Sequence, residues 1–358
     1  MKNLFRILIV ITIVLVVFIY FDNPVQENEL ITGSNNSGQL IPQEYPEIPE
    51  TANIFDRPQE GISTLIGEPA QKIVDLLGKP SRIEASIFDY DWWVYNDSLS
   101  TYTLFGVADG LVTQVFAIGN EVEVNPYKIG QSLTDIYRFT IVESEITMSI
   151  DSNTYTFSLT EEDINNRILV PFDDLFAILY IDMEDHQLEA VRFSDAKTLL
   201  KQKPYDILYN GTMIEAETPA SSLQAAVDRA NERQIVEITN VFRLRHGSQV
   251  LVSNFSLQQI ARTHSEEMAK NNIVVNEKFE VPKFSDKLKE SSIQFTRAGG
   301  NTAAFYFDAG EAVNGWLNSK DHRATLLDEA YNQTGVGVYG NYYTQNLIEQ
   351  NIIKEKNQ

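Results

Sequence analysis

Asp308-Ala309-Gly310-Glu311-Ala312-Val313-Asn314-Gly315-Trp316-Leu317-Asn318-Ser319-Lys320-Asp321-His322-Arg323 is the stretch that decides how the C-terminal third folds. Ala309, Ala312, Val313, Trp316 and Leu317 recur at i, i+3, i+4, i+7 and i+8, which is one face of a helix. Asp308 stands at the N-cap position with Glu311 three residues on, the spacing of a capping box. The polar turn Asn318–Arg323 ends this helix before a second apolar run, Ala324–Leu327. Downstream, Gly335-Val336-Gly337-Val338-Tyr339 and Tyr343-Thr344-Gln345-Asn346-Leu347-Ile348 read as strands, with Gly340-Asn341 as the hairpin turn between them.

Working outward, Ile235, Ile238, Val241 and Phe242 keep helical spacing until His246-Gly247 breaks it. A second helix is expected to start at Ser256, with Gln259 as its capping-box partner and an apolar face of Leu257, Ile260, Ala261, His264 and Met268. The order of these pieces resembles the CAP superfamily, which includes cysteine-rich secretory proteins, venom allergens and plant pathogenesis-related proteins. The matching segments are Asn240–Gly247, Ala261–Ala269, Ala312–Arg323, Leu326-Leu327, Gly335–Val338 and Tyr343–Gln345. They span about Val236–Glu349, roughly a third of the chain. The whole arrangement is similar to bacterial envelope proteins that carry an anchor, a CAP-associated N-terminal domain and a C-terminal CAP domain. The resemblance implies an α+β protein whose C-terminal domain is an α–β–α sandwich around an antiparallel sheet, with a cleft on one face.

Family members with a full site place two His and one or two Glu around that cleft, donors suited to zinc or a harder divalent ion such as calcium. Here the His of the Trp–Asn–Ser–x–x–His–Arg turn is His322, but the first His falls at Asn276 and the Glu falls at Gly300. One imidazole, an amide and a glycine do not make a three-ligand site, so no metal or other cofactor is expected. The resemblance leaves His322, Ser319, Asn276, Asn301, His264 and Glu311 as candidates to line the cleft. Two of them have a plainer reading, His264 as a hydrogen-bonded core residue and Glu311 as the capping-box partner, and the neighbouring Arg323 reads as a pin on its own turn. His246 sits at a helix C-terminus and His186 in an acidic surface turn.

Ser319 and His322, at i and i+3, could pair as nucleophile and base, yet no orienting acid and no Gly-x-Ser-x-Gly elbow accompanies them. No phosphate-cradling loop or dinucleotide fingerprint occurs either. The expected function is a non-catalytic module binding an envelope peptide, glycan or lipid, or docking on a membrane partner. The alternative is a metal-assisted or Ser–His hydrolase acting on envelope peptide or glycan.

The N-terminal side sets the location. Leu4–Phe21 is apolar except for Arg6 and Thr12, just long enough to cross a bilayer of roughly 30 Å. Lys2 and Arg6 precede its core and Asp22, Glu27 and Glu29 follow, so a single-pass anchor with the bulk of the chain outside the cytoplasm is expected. Secretion after signal cleavage is the alternative, disfavoured by the bulky Val17-Phe18-Ile19-Tyr20-Phe21. The expected division is anchor 1–21, Pro-containing linker 22–58, α+β domain 59–200, connector 201–230, CAP domain 231–350 and tail 351–358. Within the first domain, Ile87–Tyr95, Thr101–Phe105 and Leu111–Ile118 suggest an antiparallel meander. Ile66-Gly67 and Ile129-Gly130, each opening a helix-like segment before strands, form a weak internal echo. Trp92-Trp93, on an alternating strand, reads as one core residue and one cross-strand partner rather than a sugar platform.

Composition narrows the remaining classes. Of 358 residues none is Cys and only four are His, which excludes disulfides, thiolate metal sites and a Cys nucleophile. A formal net charge of −22 disfavours nucleic acid and anionic lipid surfaces.

Overall fold

Three short strands begin the described part of the chain: β1 (Val25–Glu27), β2 (Ile31–Thr32) and β3 (Gln39–Leu40). The computed structural model describes residues 25–33, 39–40, 54–274 and 284–350; the apolar segment 4–21, Asn276 and the tail 351–358 lie outside them. Each of the three strands joins a sheet built by residues far along the sequence. The described part of 22–58 is therefore extended, as its composition dictates, but docked rather than free as a linker would be. Sheet edges with unpaired N–H and C=O rows supply the partners that the segment's own sequence cannot.

In the N-terminal domain, α1 (Gln71–Leu77) ends at Gly78, and β4 (Arg82–Ala85), β5 (Asp91–Tyr95), β6 (Thr103–Ala108) and β7 (Leu111–Ala117) form the expected meander. Asp109 and Gly110 take φ of 51° and 76°, the left-handed pair that a two-residue hairpin requires. Then follow α2 (Leu133–Ile136), the hairpin of β8 (Glu145–Ile150) and β9 (Asn153–Ser158), α3 (Glu161–Asn166), β10 (Arg167–Pro171), β11 (Phe176–Asp182), β12 (Gln187–Ser194) and α4 (Ala196–Gln202). Seven strands run in the order β10-β11-β12-β7-β6-β5-β4. Inside the stretch read as a connector, β13 (Asp206–Asn210) pairs with β9 and β3 in a second sheet of four strands.

The internal echo has a structural counterpart. Gly67 N donates to Val112 O (2.7 Å) and Val112 N to Glu68 O (2.9 Å); Gly130 N donates to Leu188 O (2.8 Å) and Leu188 N to Gln131 O (2.9 Å). The two halves meet where β7 and β12 pair antiparallel, Phe116 opposite Arg192. Side chains then alternate across the sheet. Val115, Ala117, Leu179 and Val191 pack with Ile73 and Ile136 of α1 and α2. Trp92, Phe116 and Tyr180 point the other way, into a cluster shared with the C-terminal domain. Trp93 packs on the α1 and α2 side, so strand parity separates the two tryptophans.

The C-terminal domain comprises α5 (Ser221–Arg245), β14 (Val252–Ser253), α6 (Phe255–Lys270), α7 (Phe284–Ser291), β15 (Arg297–Ala304), α8 (Ala309–Leu317), α9 (Lys320–Leu327), β16 (Gln333–Tyr339) and β17 (Tyr342–Glu349). Its sheet runs β1-β15-β17-β16-β14, with β2 also on β15. Neighbouring residues of β17 show the two faces: Gln345 donates to Thr239 of α5 (2.9 Å), while Thr344 meets Ser265 of α6 (2.8 Å). Helices α5, α8 and α9 thus cover one face and α6 and α7 the other, the sandwich expected from the resemblance. One capping assignment changes. Helix α6 starts at Phe255, with Asn254 as the N-cap accepting from Leu257 N (3.1 Å), because Asn254 is already held by strand contacts to Thr334 and Gln333.

The two domains share a core. Ile235, Val313 and Trp316 belong to the same buried cluster as Trp92, Phe116 and Tyr180.

Candidate functional site

Ser319 is the N-cap residue of α9, yet its side chain makes no capping bond. Its hydroxyl lies instead 2.9 Å from His322 Nδ1, and His322 Nε2 lies 2.7 Å from the carbonyl oxygen of Glu29. A carbonyl can only accept, so Nε2 carries the proton and Nδ1 accepts from Ser319. His322 is 3% exposed, and burial lowers its pKa. Asn301 of β15, fully buried, donates from Nδ2 to His322 O (3.2 Å) and accepts at Oδ1 from Asn28 Nδ2 (2.8 Å). Asn28 Nδ2 also approaches Thr325 Oγ1 (2.9 Å) and Asp321 O (3.1 Å).

The structure brings together three of the six candidates, His322, Ser319 and Asn301. Asn28, Glu29 and Thr325 complete the site and were not legible. Asn28 and Asn301 are 273 residues apart, and no local pattern marks either as the other's partner.

Among the described residues, neither His264 nor Glu311 joins His322, nor does the Gly300 position. Adjacent residues of a strand face opposite sides, and Gly300 precedes Asn301. A Cβ on Gly300 would face Asn346 and Phe284, on the α6–α7 side, whereas Asn301 faces His322 on the α9 side. Gly300 and His322 are thus separated by the sheet, and Asn276 lies outside the described residues. His264 is on the α6–α7 side too, its Nδ1 3.3 Å from Thr344 Oγ1.

Burial, with Lys287 nearby, pushes the His264 pKa down to about 4. The unfolded chain therefore takes up a proton near the ordinary value of 6.5 while the folded chain does not. Stability is full above that value and falls as the pH drops toward 4, by up to about 2 kcal/mol at pH 5. Urea unfolding at pH 7 and pH 5 should show this loss, and His264→Gln should remove most of it. Equal losses in the two proteins would contradict the assignment.

Glu311 is not a capping-box partner in full. Its N–H donates to Asp308 (3.1 Å), but its carboxylate turns to the other domain, to Arg167 Nη1 (2.8 Å) and Tyr180 OH (2.5 Å). Arg167 is nearly buried and lies between Asp163 (2.5 Å) and Glu311 (2.8 Å), and this buried ion pairing, with the Tyr180 hydroxyl, outweighs a second bond at the helix end. Arg323 does pin its turn, through Leu317 O (3.3 Å), while it also reaches Asp182 across the interface (2.5 Å). Asp182, Asp185, Glu189 and His246 converge there, with ligand-type atoms within 4.8 Å of one another. Arg323 and Arg245 pair with Asp182 and Glu189, so this group is an interdomain ion cluster. His186 is exposed, as its acidic turn implied.

Comparison with known proteins accords with this architecture. The CAP-associated N-terminal profile matches residues 66–205, and the profile of the cysteine-rich secretory protein family matches residues 236–352. An uncharacterized membrane protein of Bacillus subtilis, YlbC, is 34% identical over 350 residues, 98% of this chain and 100% of that protein. The crystal structure of an extracellular protein containing a SCP domain from Bacillus anthracis is 34% identical, with a TM-score of 0.76 over 85% of this chain and 100% of that one. A cysteine-rich secretory protein from Staphylococcus aureus shares the fold at 22% identity, with a TM-score of 0.74 over 90% of this chain and 100% of that one. With a profile on each domain and a relative matched along its whole length, the chain belongs to the cysteine-rich secretory protein (CAP) family, with a CAP-associated N-terminal domain ahead of its CAP domain.

Proposed function

We propose that this protein is a membrane-tethered binding module, displayed outside the cytoplasm, whose CAP domain holds a ligand without reacting with it. The observation that carries the reading is the commitment of both ring nitrogens of His322, one to Ser319 and one to a backbone carbonyl. A protonated Nε2 has no lone pair for a cation, and Nδ1 is occupied by a hydroxyl. Among the described residues no carboxylate hydrogen-bonds His322, so the imidazolium that a hydrolase must form has no buried acid against it; it has only the Glu29 carbonyl and the more distant Asp321 and Glu29 charges, and burial outweighs these. The tether is supported by the apolar segment 4–21 with Lys2 and Arg6 before its core, by a relative named as a membrane protein and by a structural neighbour described as extracellular.

Zinc or calcium titrated into the full chain is expected to give no stoichiometric heat, and His322→Ala is expected to change nothing. Stoichiometric binding abolished by His322→Ala would overturn the reading. The Ser319–His322 contact favours one competing reading, a Ser–His hydrolase. A fluorophosphonate probe decides it: Ser319 should stay unlabelled, and labelling lost in Ser319→Ala would establish the hydrolase.

A further inference from the structure

β15 would be the outer strand of the CAP sheet were it not covered by the chain's own N-terminal segment. Val25, Gln26 and Glu27 pair parallel with Ala298, Gly299 and Gly300, and Ile31 and Thr32 with Ala303 and Ala304. Between the two ladders the segment bulges, and there its Asn28 side chain and Glu29 carbonyl enter the His322 site. Both faces of β15 take part. Glu27 accepts from the Phe284 and Ser285 amides (both 3.1 Å) on the α7 side, while Asn28 meets Asn301 and Thr325 on the α9 side. Val25 packs against the α7 cluster, Leu30 beside Met268 and Tyr342, and Ile31 on the shared core.

Burial is lopsided. None of residues 25–33 is fully buried, and Gln26, Glu27 and Glu29 are exposed. The polar groups beneath them, Asn301, Thr325 and His322, are 0%, 1% and 3% exposed. The segment thus lies on the surface over polar groups of the CAP domain itself, donors and acceptors arranged for a strand carrying an amide side chain.

We propose that the β15 edge is a receptor for an extended polypeptide strand, and that residues 25–32 are its exchangeable occupant in cis. This inference rests on the binding-module reading above and names the ligand class. The partner is an exported polypeptide with the pattern apolar–x–acid–Asn–x–apolar–apolar, the pattern of Val25, Glu27, Asn28, Leu30 and Ile31. Strand addition supplies affinity through backbone bonds, and the side-chain sites supply selectivity. Two short ladders, of three and two residues, leave the cis segment few bonds to break when a partner replaces it.

The test uses the full chain in detergent and a fluorescent peptide of residues 24–33, read by anisotropy. Glu27→Ala/Asn28→Ala weakens the cis segment and should bind the peptide at least tenfold more tightly than the unaltered chain. Ile31→Cys/Ala303→Cys locks the segment down. These are register partners at a separation a disulfide can bridge, in a chain with no other cysteine. When oxidised this variant should bind no peptide, and reduction should restore the unaltered level. The proposal is overturned if the weakened chain binds no more tightly than the oxidised lock, or if a peptide with its Glu27 and Asn28 positions changed to alanine binds equally well. Neither outcome depends on the fluorophosphonate result, so failure of the strand receptor and failure of the non-catalytic reading are separable.

Discussion

Replacing Asp308 by alanine is expected to destabilise the protein by about 3–5 kcal/mol, the range for stripping a buried charge of its partner. Arg192 is fully buried, and its Nη2 lies 2.7 Å from Asp308 Oδ2. Its other donors reach Tyr180 OH (3.0 Å) and Gln114 Oε1 (3.1 Å), both neutral. The rings of Phe116 and Phe307, with centroids 4.8 Å and 4.9 Å from the guanidinium, exclude water from around it. Asp308 also caps α8, a contact worth about 1 kcal/mol on its own. Asp308→Asn keeps one acceptor oxygen, enough for the cap but not for Arg192 as well, so it should spare at most the roughly 1 kcal/mol of the cap. Arg192 is on β12 and Asp308 is in the CAP domain, so the pair joins the two domains through the core they share. Urea unfolding of the unaltered chain is accordingly expected to be one transition. A loss below about 1 kcal/mol for Asp308→Ala would show that the interface does not depend on this pair.

Gly337→Ala is expected to cost at least about 3 kcal/mol, the upper end of what overpacking usually imposes. A Cβ at Gly337 would fall inside contact distance of the Arg262 amide nitrogen and the Ala261 carbonyl carbon, which are helix backbone and cannot swing aside. Gly335 meets Leu257 and Gln258 in the same way, one helical turn earlier. The two glycines let α6 lie directly on β16, where Ser265 donates to Gly337 O (2.9 Å). Lifting the helix would also loosen the buried Ser265–Thr344 pair behind it. Gly340→Ala is the internal control: φ there is +58°, but nothing stands near the added carbon, so its cost should be smaller, at about 1 kcal/mol. Thermal unfolding of the three proteins checks the order, and an alanine at 337 no worse than one at 340 would contradict it.

Much of this was legible where physics acts over a few residues. The stripe Ala309–Leu317 predicted α8, Gly340-Asn341 predicted the β16–β17 hairpin, and the runs Ile87–Tyr95, Thr101–Phe105 and Leu111–Ile118 the β5–β7 meander, since side-chain period and backbone φ are local properties. The glycine alternation of Gly335–Val338 marked a strand, but the helix that requires those glycines is some seventy residues away. Glu311 had the spacing of a capping box, and that spacing could not reveal the Arg167 charge 144 residues distant that claims its carboxylate.

By itself the sequence determined the element order, the α+β class, the family resemblance and the lack of any thiol chemistry, because each follows from residue type and short-range spacing. Only the tertiary structure decided which side of β15 each residue faces, and so that Gly300 and His322 are not neighbours. Only it showed that residues 25–33 occupy the sheet edge and bring Asn28 and Glu29 to His322. The reason is the strand period of two: a shift of one residue in register exchanges the faces, and register is set by pairing between distant segments that no window of sequence contains.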